Sequence, residues 1–248
     1  MYHRFEENKY PSTNIKLKDF KEHLRIIREK NINFVNPNKF EKDLKNNKNQ
    51  RKILLTIDDG FSSFYKNAWP ILKKDKIPFL LFVSTEPVGK KGYMTWSQIQ
   101  EIEKSRSIFK NELGKNSKFF SYPFGEYSLE FKNIIRSLGF KYAFGQHSGV
   151  MDDTKDLYEL PRFPINEKYG EIKRFNSLTK TLPFKYKKVY PEEKYLSQSK
   201  NPPKVKIVFY ENIKNLKSLS CYSNEDNKWR QSNIKFENSN TLLININE

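Results

Sequence analysis

The stretch from Ile53 to Gly60 constrains the fold more than any other, because the unbroken run Ile53, Leu54, Leu55, Thr56, Ile57 ends in Asp58, Asp59 and Gly60. β-branched and aliphatic residues without polar alternation suit a parallel strand covered on both faces, and Gly60 permits a sharp turn out of it. Helical spacing follows in Phe64, Ala68, Ile71 and Leu72, where Pro70 removes a backbone donor and predicts a kink. A second apolar run, Phe79 to Val83, completes a strand, helix and strand. Right-handed crossovers of this kind hold their ligands at the carboxyl ends of the strands, which is where Asp58 and Asp59 fall.

Adjacent carboxylates on an extended chain point in different directions, so one can hold a cation while the other takes a proton from water. The same Asp-Gly sequence also reads as a turn that does no chemistry, and the pattern by itself weighs the two evenly.

With 248 residues the chain has room for one α/β domain and a small appendage. No apolar stretch approaches the ~20 residues that span a bilayer, and the first residues lack a signal-peptide apolar region, so a cytoplasmic protein is expected. The single Cys221 excludes an internal disulfide and a cysteine metal cage. A net charge of +17 favours an anionic partner, but the excess is mostly Lys scattered among Asn, without a dense block or an Arg-aromatic stripe. Nucleic acid is therefore not the expected partner.

In order along the chain, Phe20, Leu24 and Ile27 mark an amphipathic helix, with His23 read as a surface histidine without a role. Short strand and helix patterns at 31–37 and 40–46 lead into the central strand. Ile99, Ile102, Arg106, Phe109 and Leu113 predict one helix after Trp96, stopped by Gly114. Further strands are expected at 119–122 and 142–144 with a helix between them, and Leu160 to Ile165, with two prolines, suits an edge or closing segment. The repeated strand-then-helix order argues for a parallel sheet or barrel. From about Gly170 the pattern changes, and short alternating stretches after Asn201-Pro202-Pro203 predict a β-rich module from about residue 203.

Two ordered motifs give the chain a resemblance to the polysaccharide deacetylase family, the NodB-homology domain. Thr56-Ile57-Asp58-Asp59-Gly60 is similar to that family's Thr-Phe-Asp-Asp-Gly signature, and Phe120-Ser121-Tyr122-Pro123-Phe124-Gly125 resembles its aromatic-Pro-aromatic-Gly motif. Tyr2-His3-Arg4 at the start resembles the circularly permuted, exopolysaccharide-deacetylase-like subgroup. The resemblance implies an α/β fold, an incomplete (β/α)7-type barrel over residues 1–170 with a C-terminal extension at 171–248. It implies a hydrolase removing N-acetyl groups from a glycan or related small amide, with Asp58 as general base, His3 as general acid and Asp59 as ligand of a divalent metal, usually zinc. The backbone N–H of Phe124 would hold the oxyanion, with Tyr122, Pro123 and Trp96 along the groove. Arg162 reads equally as the residue orienting Asp58 or as a surface salt-bridge partner.

The family's His-Ser/Thr-x-x-His metal pair is absent. The interval that should carry it, Ser97 to Leu113, contains no His, which implies a deletion near Glu101 to Lys104 and an impaired metal site. His147, at a strand mouth between Gly145 and Gly149, is the remaining candidate ligand and fits a loop histidine as well. Two other readings stand beside the hydrolase. One is Mg²⁺-dependent phosphoryl chemistry, weakened by the lack of a Gly-rich phosphate loop. The other is a non-catalytic glycan binder using Trp69, Trp96, Tyr122, Phe124 and Trp229, most of which suit a core equally well.

Overall fold

The computed structural model describes residues 1–45, 50–105, 117–210, 218–225 and 227–246. The chain divides into two compact units, one formed by residues 1–125 and 139–183, the other by 126–138 and 184–248.

The first unit begins with β1 (Arg4–Phe5), β2 (Asn14–Ile15), α1 (Leu17–Glu29), β3 (Asn33–Phe34), α2 (Phe40–Lys45), β4 (Lys52–Ile53) and β5 (Thr56–Ile57). The apolar run at 53–57 is thus divided: β4 pairs in parallel with β3, while β5 pairs in parallel with β6 (Leu80–Leu81). Between β5 and β6 the chain makes a π-helical turn, Phe64–Ala68, and then α3 (Trp69–Lys74). Pro70 sits in the first turn of α3, so the missing donor falls where the π-helical turn gives way to α-helix. α4 (Trp96–Ser105) runs without a break through Glu101–Lys104, where the sequence implies a deletion. The remainder of the predicted helix, including Phe109, Leu113 and Gly114, lies outside the described residues.

β7 (Phe119–Ser121), α5 (Leu129–Ser137) and β8 (Tyr142–Phe144) follow, and β7 and β8 pair in parallel. Phe144 bridges to Leu160, and Ile165 N–H donates to the Met1 carbonyl at 3.0 Å. Tyr2 in turn bridges to Ile57, with Tyr2 N–H donating to Thr56 and Asp58 N–H to Tyr2. The segments therefore follow one another as β7, β8, 160–165, Met1–Tyr2, β5 and β6, a parallel barrel wall left open. Among the described residues β6 pairs only with β5 and β7 only with β8. Leu80, Tyr142, Phe144 and Leu160 fill the interior with Phe82 and Phe119, and Phe40 of α2 packs edge-on against Tyr142 at 4.9 Å between ring centroids.

α6 (Ile172–Leu178) packs on α1, and here the expectation for His23 is corrected. Its ring is buried, stacked 4.0 Å from Phe175. Nε2–H donates to the Gly170 carbonyl at 2.7 Å, and Nδ1 accepts from the Tyr2 hydroxyl at 3.0 Å. The residue lies one helical turn from Phe20 and Ile27 on the apolar face, so burial was compatible with the spacing all along.

The second unit contains α5, capped by Ser128 Oγ accepting from Phe131 N–H at 3.0 Å, and an antiparallel sheet. β9 (Lys188–Tyr190), β10 (Lys204–Val208), β11 (Cys221–Glu225), β12 (Lys228–Asn238) and β13 (Thr241–Asn245) lie in the order β11-β12-β13-β10-β9. Phe209, Leu242 and Ile244 form its small core. β9 precedes Asn201-Pro202-Pro203 yet pairs with β10, so the β-rich part extends upstream of that segment.

Gly125 closes the turn after β7 at φ +75°, and a Cβ there would lie 2.5 Å from the backbone nitrogen of Gln146. Gly139 has φ +87° but open space around it. Both Ala variants carry the left-handed backbone cost, roughly 1–2 kcal/mol, whereas only Gly125→Ala must also push β8's exit away. Thermal melting should therefore show the larger loss for Gly125→Ala; equal losses would refute the close approach.

Burial lowers the His23 pKa from its ordinary 6.5, more than Asp19, Glu22 and the Gly170 bond raise it. The unfolded chain then binds the proton more readily, so the stabilisation is full above about pH 6.5 and fades as pH falls below it. Denaturant titrations between pH 7.5 and 5 should show a slope that His23→Gln reduces; an unchanged slope would contradict this.

Candidate active site

Asp58 follows β5 at the point where the ladder ends, and its carboxylate turns into the barrel, 4 % exposed. A buried carboxylate needs a matched cation and hydrogen bonds, and both are present. Arg162 Nη1 lies 2.8 Å from Asp58 Oδ1, and Ser121 Oγ donates to Oδ2 at 3.4 Å. Arg162 also donates from Nε to the Gly145 carbonyl at 2.9 Å, from Nη2 to Ser121 Oγ at 2.8 Å and from Nη1 to Thr56 Oγ1 at 3.3 Å. Its guanidinium stands over the rings of Phe82 and Phe144, 5.5 and 5.7 Å from their centroids. Of the two readings of Arg162, the geometry is that of a buried orienting group and excludes a surface salt bridge.

Asp59 takes φ +70°, a left-handed conformation that Asp tolerates better than most residues, and Gly60 continues the turn at φ +76°. The reversal takes Asp59 off the alternation of the strand and away from Arg162's fork. Burial raises its pKa, opposed by His3 and, more weakly, by Arg4 and Arg162. His3, carried beside β5 by the Tyr2 bridge, is lowered by burial, while Asp58 and Asp59 both pull it back up. The three groups thus share one electrostatic neighbourhood. An imidazolium weakened in this way gives up its proton readily, as protonation of a leaving amine requires.

Arg4 is held between aromatic rings, 3.4 Å from the Phe61 centroid and 4.1 Å from that of Tyr10, and pairs with Glu7 at 2.8 Å. Phe124 has φ +55° and its side chain is 87 % exposed in the Pro123–Gly125 turn. Pro123 is also exposed. Tyr122 departs from the expected groove wall: its side chain is buried, with the hydroxyl donating to the Tyr158 carbonyl at 2.9 Å, because it alternates with Ser121 and falls on the opposite face of β7, edge-on to Phe120 at 5.4 Å between ring centroids. Trp96 is half exposed at the first position of α4.

His147 lies exposed beyond β8, its carbonyl accepting from Arg162 N–H at 2.9 Å. Among the described residues no group of three His, Cys, Asp or Glu side chains is placed to hold a metal ion. Since His23 is in the core and the chain has three histidines in all, the donor set does not match a three-ligand zinc centre. The residues that the sequence reading passed over are Ser121 and Thr56. Ser121 was visible as the polar position at the end of an aromatic strand, yet only its register beside Asp58 gives it meaning.

The family model for polysaccharide deacetylase matches residues 45–95 and 90–143. The Bacillus subtilis protein YxkH is 21% identical over 197 residues, covering 67% of this chain and 70% of that protein. The poly-beta-1,6-N-acetyl-D-glucosamine N-deacetylase of Staphylococcus aureus is 23% identical over 172 residues, covering 51% of this chain and 59% of the enzyme. The chain thus spans about three fifths of the length of that enzyme. Among solved structures, IcaB from Ammonifex degensii superposes with a TM-score of 0.63 at 25% identity, over 73% of this chain and 95% of that one. Streptococcus pyogenes deacetylase PplD, in complex with acetate, does so with 0.61 at 21% identity, over 74% and 96%. These likenesses and the motif positions agree on a NodB-type partial barrel followed by a β-rich module, and together they support a member of the polysaccharide deacetylase family.

Proposed function

We propose that this chain is a deacetylase-type hydrolase acting on N-acetyl groups of a glycan, with Asp58 as general base, His3 as general acid and Arg162 orienting Asp58. The observation that carries the reading is the buried Asp58 carboxylate, fixed through one oxygen by Arg162 and through the other by Ser121 beside His3 and Asp59. Amide hydrolysis needs a base for the attacking water, donors aimed at the developing oxyanion and a proton for the departing amine. Arg162 and Ser121 keep Asp58 from rotating, so a lone pair stays directed to one place. The Phe124 N–H is assigned to the oxyanion, with Pro123 and Trp96 along the sugar.

Family members are metal-dependent. Asp59 is the residue assigned to a divalent cation, zinc being the family's usual ion, but one carboxylate does not make a catalytic zinc site. No step is therefore routed through a metal in this chain. The short donor set also favours a second reading, a glycan-binding homologue that no longer hydrolyses.

Acetate release from N-acetylglucosamine oligomers distinguishes the two. Under the first reading Asp58→Asn should lose activity by about 10²-fold or more while melting as a folded protein. Undiminished release would remove Asp58 from the base role, and saturable oligosaccharide binding by the native protein with no release would establish the second reading.

Elemental analysis of protein dialysed at neutral pH should find well under one zinc per chain. Stoichiometric zinc would show that other side chains complete the set.

A further inference from the structure

The strands that carry Asp58 at their carboxyl ends have a separate feature at their amino ends. A cleft of about 370 Å³ is lined by Lys30, Asn31, Gln50, Arg51, Thr179 and Lys180. Arg51 immediately precedes β4, Asn31 lies just before β3, Lys30 caps α1 and Thr179 caps α6. Residue 51 is separated from residue 58 by an extended segment, roughly 23 Å at about 3.3 Å per residue, so the cleft is not part of the Asp58 site.

Among the described residues, three cationic side chains face this cleft and no carboxylate lines it. Among the described residues none of the three is in an ion pair, although ion pairs elsewhere hold Lys45, Lys52, Lys73 and Lys90. Lys30 is fixed in place: Nζ donates to Thr179 Oγ1 at 2.6 Å and to the Asn176 carbonyl at 3.3 Å. Burial lowers its proton affinity, and Lys180 and Arg51 lower it further, a mark of like charges held together. The carbonyl ends of α1 and α6 account for one cation here, Lys30, through that carbonyl bond. They do not account for Arg51 and Lys180, which stay exposed beside it.

We propose that this cleft binds a phosphoryl group. The planar fork of Arg51 would take two of its oxygens, Lys30 and Lys180 would supply point charge, and the amides of Asn31 and Gln50 further donors. A phosphoryl dianion suits three converging cations better than a carboxylate, because it carries more charge and three acceptor oxygens. The ligand is either free phosphate or a phosphate-bearing sugar, and the net charge of +17 would draw either to the surface. The proposal is independent of whether Asp58 catalyses hydrolysis.

The test is calorimetric titration of the whole chain at low salt with orthophosphate and with glucose 6-phosphate, which has no acetyl group for the Asp58 site. Saturable binding is expected. Tighter binding of glucose 6-phosphate assigns the site to phosphorylated sugar, and tighter binding of orthophosphate assigns it to the free ion. Arg51→Gln with Lys180→Gln should weaken affinity by about tenfold or more, as expected for charge-assisted hydrogen bonds, and Asp58→Asn should leave it unchanged. Both substituted residues are exposed, so folding is preserved and an unaltered melting transition verifies it. Lack of saturable binding of either ligand, heats matched by sodium chloride at equal ionic strength, or native affinity in the double variant would overturn the proposal.

Discussion

The barrel depends on how a single guanidinium is satisfied inside it. Arg162 is 3 % exposed, and an arginine at that depth is tolerated only if its donors meet acceptors and its charge meets an anion. Its partners come from separate strands: Thr56 and Asp58 from β5, Ser121 from β7 and the Gly145 carbonyl from the end of β8. One side chain thus registers the strand ends against one another beside their last sheet hydrogen bonds. The same bonds give Asp58 its orientation, so the packing and the geometry of the candidate site rest on one set of contacts. Removing either charge leaves the other buried without a counterpart, a costlier state than having neither.

Much of this was legible in the residues because strand interiors and turns are local properties. The run ending in Asp58-Asp59-Gly60, the helix after Leu17 and the strands flanking Tyr122 and Tyr142 follow from period, branching and backbone freedom. The joining of Met1–Tyr2 to both Thr56–Asp58 and Phe163–Ile165 was not legible, since no local pattern encodes which distant edge a two-residue strand completes. The fate of His23 was hidden for a related reason. Its spacing fits the apolar face, but the Tyr2 hydroxyl and Gly170 carbonyl that permit burial come from elsewhere in the chain. Tyr122 was read as a groove residue from its motif, whereas the alternation of β7 buries its ring on the face opposite Ser121 and leaves the next two residues exposed.

The site also shows how a conformational reversal separates neighbours. Asp58 obeys the strand and faces Arg162; Asp59, at φ +70°, leaves it and answers mainly to His3. Arg4, clamped between Phe61 and Tyr10, adds positive potential on that second side without contributing to the Arg162 cluster. Two adjacent acids therefore meet different partners, although Asp59 still feels the charge of Asp58 and both act on His3.

That left-handed residue has a corollary for what position 59 accepts. A β-branched side chain would resist φ +70°, so backbone shape restricts the choice there before any question of a ligand arises. An acid at this place is partly a selection of conformation, and its presence alone is not a record of turnover.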